Sequence, residues 1–368
     1  MRIRFKNYKY DFRIASLALE ESTKIDLLEN NLSVIYADDE KITLYPEETV
    51  LSDEQSDLAE IKQYNNYDVF EIWGNGTLIR RYNDNSNDNY FFITGACNSN
   101  CIMCPSPDIS RKNATPTNIS DLILLAKHIP IDTPHLTITG GEPFLIGDKI
   151  FEFFKFLKEK FEQTEFLVLT NGRIFAVERY VQLFKENLPN NLIVAIPLHA
   201  SYEELHDSIT RSKNSFNQTK LGIKNLLKNN IRVEIRLVVN KLNVNDFENI
   251  ADLIINQFNG IEYVSVIAME MTGNALANKE KVWLPYKETF SLIGNAIKNM
   301  VKNSIDVKLY NFPLCTVDSS FWTLCEKSIS PNKVRYATTC DDCKYRSVCG
   351  GVFAGTFKFE EDELRAIL

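Results

Sequence analysis

Between residues 90 and 268 six apolar runs of strand length alternate with stretches of helical period, and few folds accommodate that order. The runs are 90–93, 136–139, 166–170, 192–198, 233–239 and 263–268, and the helical stretches lie near 118–128, 148–161, 174–187, 216–229 and 245–257. Strands separated by a helix pair in parallel, so the pattern predicts an α/β domain with a helix-covered parallel sheet. Reactive groups in barrel-like versions of this architecture gather at the carboxyl ends of the strands. In the fifth run, alternation sets Val233, Ile235, Leu237 and Val239 on one face and Glu234, Arg236, Val238 and Asn240 on the other. The all-apolar row must meet the helices. The polar row then points inward, which is costly unless it is paired or engaged by a ligand.

Residues 1–86 differ in texture. Short apolar runs at 32–36 and 69–73 flank turn signals such as Asp38-Asp39 and Gly74-Asn75-Gly76, the signature of β hairpins. This predicts a small β-rich N-terminal domain over 1–86, with the polar run 83–89 leading into a central domain over 87–285. Residues 286–368 make a third region, with a strand expected over 307–311.

Three thiols, Cys97, Cys101 and Cys104, follow the first strand of the alternation within eight residues. Thiolates select zinc or iron-sulfur clusters, and a loop this short brings three sulfurs to one soft metal centre. Structural zinc normally takes four protein ligands, whereas a reactive site keeps one position open. The spacing also fits a zinc knuckle or buried apolar thiols. After the second strand comes Gly140-Gly141-Glu142-Pro143, where two glycines permit close approach to the backbone and a carboxylate can accept from an ammonium group.

The balance of 41 basic and 49 acidic residues, net charge −8, with no long basic run, disfavours nucleic acid as a partner. The first residues lack the apolar core of a secretory signal, and no stretch approaches membrane-spanning length. A cytoplasmic location is therefore expected, in which eight closely spaced cysteines read as metal ligands rather than disulfides.

Together the Cys97, Cys101, Cys104 loop and Gly140-Gly141-Glu142-Pro143 resemble the signature of the radical S-adenosylmethionine (radical SAM) superfamily. The resemblance implies a partial (β/α)6 barrel. It implies that the three cysteines hold a [4Fe-4S] cluster whose fourth iron is chelated by SAM, with the Gly-Gly-Glu-Pro segment receiving the SAM amino group. Met103 replaces the aromatic residue that usually lies near the adenine; a polarizable thioether also covers a ring face. By the same resemblance Thr170 and Asn171, and His199 one strand on, face the ribose. Arg211 stands near a SAM-contacting arginine of relatives in a slightly shifted register, and Arg236 is a candidate for the SAM carboxylate. From the residues alone His199 also reads as a core histidine, and Glu234 and Arg236 as mutual partners. Glu270 and Asn274 lie where substrate would approach or form an ordinary capped loop. His128 and His135 read as structural.

A second thiol group, Cys340, Cys343 and Cys349 with Cys315 upstream, resembles the SPASM or twitch auxiliary-cluster modules of peptide-modifying radical SAM enzymes. A full SPASM module has a further cysteine where this chain has Phe353. One auxiliary [4Fe-4S] cluster on Cys315, Cys340, Cys343 and Cys349 is implied, with Cys325 left over. The same four thiols also suit a structural zinc. Pro313-Leu314-Cys315, Trp322, Thr272-Gly273-Asn274-Ala275 and Cys349-Gly350-Gly351-Val352-Phe353 resemble, more narrowly, the C-type radical SAM maturases (HxsC) of the His-Xaa-Ser peptide system. That implies an oxidoreductase-type enzyme acting on a small ribosomally made peptide, a second radical SAM maturase as partner, and an electron donor such as flavodoxin or ferredoxin. The alternatives are an enzyme acting on a small metabolite or a protein side chain, as sulfatase-activating enzymes do, and a zinc-stabilised scaffold without turnover.

Overall fold

Six strands precede the alternation: β1 (Arg13–Ala18), β2 (Val34–Ala37), β3 (Ile42–Tyr45), β4 (Thr49–Ser52), β5 (Val69–Ile72) and β6 (Leu78–Tyr82). In the computed structural model, which describes residues 3–6, 8–106, 111, 114, 115 and 117–368, they form one sheet in the order β4-β3-β2-β1-β5-β6. β1 and β2 are parallel and every other pair is antiparallel. The hairpins turn where the sequence signals them. Asp38 Oδ1 accepts from the backbone of Glu40 and Lys41 at 2.8 Å each. Gly76 turns with φ +81°, where a Cβ would sit 2.1 Å from Phe5 O. Two helices, α1 (Glu21–Glu29) and α2 (Gln55–Ile61), were not foreseen. α1 buries only Thr23 and Leu27, so its sequence carries no apolar stripe to betray it.

From Tyr90 the chain builds a second sheet of eight strands: β7 (Tyr90–Phe92), β8 (His135–Thr139), β9 (Glu165–Leu169), β10 (Leu192–Pro197), β11 (Arg232–Val239), β12 (Tyr263–Ala268), β13 (Val307–Tyr310) and β14 (Cys325–Glu326). Their order in the sheet is their order in the chain, and every neighbouring pair is parallel. Two of the eight strands lie beyond residue 285, so the third region extends the central sheet. The helices between the strands are α3 (Ile119–His128), α4 (Lys149–Lys160), α5 (Glu178–Asn187), α6 (Glu203–Thr210), α7 (Ser215–Lys228) and α8 (Phe247–Gln257). α9 (Gly273–Ala277), α10 (Lys279–Val282) and α11 (Tyr286–Lys302) follow β12. Right-handed crossovers in unbroken order carry successive helices to one face of the sheet. Accordingly α3 packs on α4, α4 on α5, α5 on α7, and α8 on α11. An aromatic cluster of Phe144, Phe154, Phe175 and Phe184 fills the layer between sheet and helices, with Phe144 and Phe175 centroids 4.9 Å apart. Among the described residues no helix is long and apolar enough to cross a membrane.

Two buried polar contacts join the sheets. Tyr82 Oη and Thr133 Oγ1 lie 2.8 Å apart, and Ser16 Oγ lies 2.8 Å from His128 Nδ1. His128 is thus structural, as expected. Burial, reinforced by the Lys160 charge, lowers its pKa to about 4. Because this folded-state value lies below the unfolded one, the unfolded chain binds the proton more tightly. The stabilisation is complete above about pH 6.5 and drains as pH falls toward 4. His128→Gln should therefore flatten the acid limb. Between pH 7.5 and 5, denaturant titration should show the variant losing roughly 2 kcal/mol less stability than the parent. An unchanged slope would contradict the assignment of a buried neutral imidazole.

Candidate active site

The first cysteine loop is placed by a close approach between two backbones. Residues Thr94, Gly95 and Ala96 lead from β7 into Cys97, and the carboxyl end of β8 presses against them. Gly141 N donates to Thr94 O at 2.7 Å and Glu142 N to Ala96 O at 2.8 Å. A Cβ on Gly140 would lie 2.5 Å from Thr94 O, and one on Gly141 2.3 Å from Ala96 O. Neither distance is tolerable between real atoms, so both positions require glycine.

Other elements grip the rest of the loop. From the end of β9, Asn171 Nδ2 donates to Asn98 Oδ1 at 2.6 Å, and Arg173 Nη1 donates to Asn98 O at 2.9 Å and Ser99 Oγ at 3.2 Å. From the end of α6, Thr210 O accepts from Asn100 N at 3.0 Å and Ile209 O from Ile102 N at 2.8 Å. From α9, Asn274 N donates to Cys104 O at 2.8 Å while Nδ2 donates to Asn100 Oδ1 and Cys101 O. Gly273, with φ +50°, leaves no room for a Cβ, which would meet Pro105 O at 2.2 Å. None of these bonds uses a sulfur. The three thiols are half-buried and near enough to perturb one another. Burial, then the Glu142 and Cys104 charges, pushes Cys97 up against the opposing Ser99 backbone bond; burial, Cys104 and Cys97 push Cys101 to about 12.

Glu142 is 3% exposed, and its carboxylate accepts from Thr170 Oγ1 at 2.7 Å, Asn171 N at 2.8 Å and Phe144 N at 3.3 Å. Burial raises its pKa while these bonds and Arg173 oppose the rise. The side chain thus serves the protein's own frame, tying the end of β8 to the end of β9. Gly140, Gly141, Glu142, Thr170 and Asn171 form one bonded patch with the cysteine loop. Arg211, at the left-handed end of α6 (φ 51°), joins it through Asn278, accepting Nη2 at 3.0 Å. Met103 is buried among Ile102, Ile209, Met269 and Met271.

His199 and Arg236 sit apart from that patch on neighbouring strand ends, linked by Leu198 N to Arg236 O at 3.0 Å. Arg236 Nη1 bonds Glu234 Oε1 at 3.2 Å, and Glu234 also accepts from Ser265 Oγ and Tyr263 Oη. The mutual pairing expected as one option is therefore present. His199 is 3% exposed, and its Nδ1 has no partner among the described residues. Burial, with the facing His206, lowers its pKa to about 3. Asn274, expected near substrate or in an ordinary capped loop, clamps the cysteine loop. Glu270 remains half-buried at the end of β12, its pKa raised by burial with Lys333 opposing.

In the third region Cys315, Cys340, Cys343 and Cys349 all line one cavity, and Cys325 does not. Backbone N–H groups point at two of these sulfurs: Leu314 and Gly351 at Cys349 Sγ, both 3.5 Å, and Ile367 at Cys343 Sγ, 3.4 Å. Arg335, Arg346 and Arg365 line the same cavity. Burial raises the pKa of Cys315 and Cys340, with backbone bonds opposing the rise. The short pair β15 (Val334–Arg335) and β16 (Val352–Phe353) frames the cavity. Among the described residues, no three Cys, His, Asp or Glu side chains converge on a single-ion position.

The model of the radical SAM superfamily matches residues 91–254, which span β7 to α8 and carry the cysteine loop and its glycine clamp. Over those residues the chain is similar to the radical SAM superfamily. A Methanocaldococcus jannaschii protein named as a glycyl-radical enzyme activating enzyme is 24% identical over 59% of this chain and 62% of its own length. The crystal structure of SuiB from Streptococcus suis superposes with a TM-score of 0.50 at 14% identity, covering 75% of this chain and 57% of SuiB. SuiB with bound S-adenosylmethionine gives 0.49 at 14% identity, covering 69% and 53%. The chain thus spans less than two thirds of either relative's length, and the likeness to SuiB concerns fold alone.

Sequence reasoning missed three loop anchors: Arg173, Ser212, whose Oγ donates to Asn98 O at 3.2 Å, and Asn278, whose Nδ2 donates to Ile102 O at 3.1 Å. Arg173 had one signal, its place just beyond the Thr170-Asn171-Gly172 strand end; Ser212 and Asn278 had none. Gly141→Ala should cost about 1–3 kcal/mol or more in thermal or denaturant unfolding, since an intruding Cβ must displace backbone. Gly294→Ala, where a Cβ meets nothing nearer than 4.0 Å in a helix interior, should instead gain up to about 1 kcal/mol. Equal effects of the two would contradict the clamp.

Proposed function

We propose that this chain is a radical SAM enzyme that modifies a peptide, with Cys97, Cys101 and Cys104 holding a [4Fe-4S] cluster. The observation that carries the reading is the clamp. The residues that lead into the motif assigned to the cluster are hydrogen-bonded to the motif assigned to SAM at the carboxyl edge of a parallel sheet. Reduced and bound to SAM, such a cluster supplies cleavage to methionine and a 5'-deoxyadenosyl radical that takes hydrogen from substrate.

The chain's own part is placement. Glu142, occupied by three donors, keeps the backbone of Gly140 and Gly141 in position rather than meeting the SAM amino group with its carboxylate. Thr170 and Asn171 hold the neighbouring strand end, and Arg236 offers its remaining N–H groups to a carboxylate. His199 has an unpaired buried nitrogen, suited to a hydroxyl such as the ribose carries. Met103 and its apolar neighbours keep water from that side of the loop.

Cys315, Cys340, Cys343 and Cys349 are proposed to hold an auxiliary [4Fe-4S] cluster. A structural zinc on the same four thiols is the alternative. In this reading residues 87–285 form a partial (β/α)6 barrel, residues 1–86 a separate domain and residues 286–368 a SPASM/twitch-like module. The narrower assignment, to cytoplasmic maturases of the His-Xaa-Ser system working beside a second radical SAM protein, rests on the motifs around Cys315 and Cys349.

Alanine at Cys97, Cys101 or Cys104 should abolish reductive formation of 5'-deoxyadenosine by anaerobically reconstituted protein; retained product would refute the cluster assignment. Replacing Cys340 and Cys343 together should remove about four iron atoms per chain, one cluster's content. Colourless protein containing zinc and no iron would favour the scaffold instead. Mass spectrometry of a co-expressed His-Xaa-Ser peptide should show a mass change that depends on Cys97; an unmodified peptide would redirect the search to small metabolites or protein side chains.

A further inference from the structure

The four thiols of the third region come from two pieces of chain, Cys315 after β13 and the triplet within residues 340–349. One short run, residues 364–367, bonds to both. Ile367 N donates to Cys343 Sγ at 3.4 Å, and Ile367 O accepts from Lys344 N at 3.0 Å. Two residues earlier, the backbone N–H of Arg365 bonds the Cys315 thiol. Thr339 Oγ1, beside Cys340, donates to Leu364 O at 3.2 Å. Leu364 enters the run with extended backbone, φ −71° and ψ 131°. In extended chain residues i and i+2 point the same way, so one run reaches two sulfurs.

The run is fastened from outside the thiol site. Leu364 is buried, and so is Glu360, whose Oε1 accepts from Tyr286 N at 2.7 Å at the start of α11. Thr356 Oγ1 accepts from Met271 N at 3.0 Å, beyond the end of β12. No side chain among Leu364, Arg365, Ala366 and Ile367 is of a metal-ligating type. What the run offers the sulfurs is backbone N–H.

We propose that residues 364–367 form a strap that closes the four-thiol site and raises the reduction potential of the group held there. The inference rests on the reading that Cys315, Cys340, Cys343 and Cys349 hold an iron-sulfur cluster. Hydrogen bonds to the sulfurs are among the features that set such potentials. An added electron makes the cluster and its thiolates more negative, so an N–H aimed at sulfur favours the reduced state. One electron enters from the titrant, and no covalent bond changes.

The test uses the full chain carrying Cys97→Ala, Cys101→Ala and Cys104→Ala, reconstituted anaerobically so that only the second site holds iron. Electron paramagnetic resonance at poised potentials reads the reduced fraction. Ile367→Pro removes the N–H aimed at Cys343, whereas Ile367→Ala keeps it and trims the side chain. At the parent's midpoint the proline variant should show a reduced-to-oxidised ratio about tenfold lower, a shift of roughly 59 mV. The alanine variant should stay within twofold. Arg365→Pro, which removes the N–H at Cys315, should lower the ratio in the same direction. Iron lost from the proline variants but kept by Ile367→Ala, with circular dichroism unchanged, also supports the strap. Iron kept with unmoved ratios in both proline variants overturns it, as does an equal fall in Ile367→Ala. A triple variant that takes up zinc or no metal overturns the cluster reading and this proposal with it.

Discussion

Everything at the carboxyl edge of the large sheet depends on how closely two strands of backbone meet at Gly140 and Gly141. The first hydrogen bond across that contact is 2.7 Å long, and no side chain fits between its partners. Because the contact is made by backbone, it fixes the chain entering Cys97 with little rotational freedom. Because it lies at the end of β8, it sets that loop at the edge where the sheet's other polar residues collect. A loop of ordinary residues would carry its sulfurs on a mobile surface turn. Here the turn is locked on one side by glycine and on the others by amide and guanidinium groups from β9, α6 and α9.

This arrangement also accounts for the buried acids. A carboxylate in a protein interior is tolerated when donors surround it, and Glu142, Glu234 and Asp207 meet that condition. Glu142 has three donors and joins β8 to β9. Glu234 has Arg236, Ser265 and Tyr263. Asp207 accepts from Ser215 Oγ and Phe216 N and so caps α7. These groups hold elements at fixed separations, so the carboxyl edge is stiff before any ligand arrives. His199, His206 and Glu360 are the exceptions, each with one buried side-chain nitrogen or oxygen unpaired among the described residues.

Much of this was legible in the sequence, and the reasons are local. The six strands from β7 to β12 announce themselves because each is a short apolar run, unbroken or alternating with polar residues, and helices such as α4 show a clear buried stripe of Ile150, Phe151, Phe153, Phe154 and Leu157. The cysteine loop and Gly140-Gly141 were legible because few chemistries need that spacing. α1 and α6 were not, being short and weakly patterned. Nor was Glu142's partnership with Thr170, since contacts across 28 residues leave no periodic trace. Nor was the bond from Asn274 to Asn100 and Cys101, more than 170 residues away in the chain. Sequence spacing locates residues along the strand ends without saying which way each faces.

The most direct test of the central claim is electron paramagnetic resonance of the reduced, iron-loaded protein with and without S-adenosylmethionine. If the loop clamped by Gly140 and Gly141 holds a cluster with an open corner, one of two reduced signals shifts on addition of the ligand. The shift vanishes when Cys104 is replaced, while the second signal stays unmoved throughout. Spectra that ignore the ligand, or a shift that survives loss of Cys104, would contradict the account.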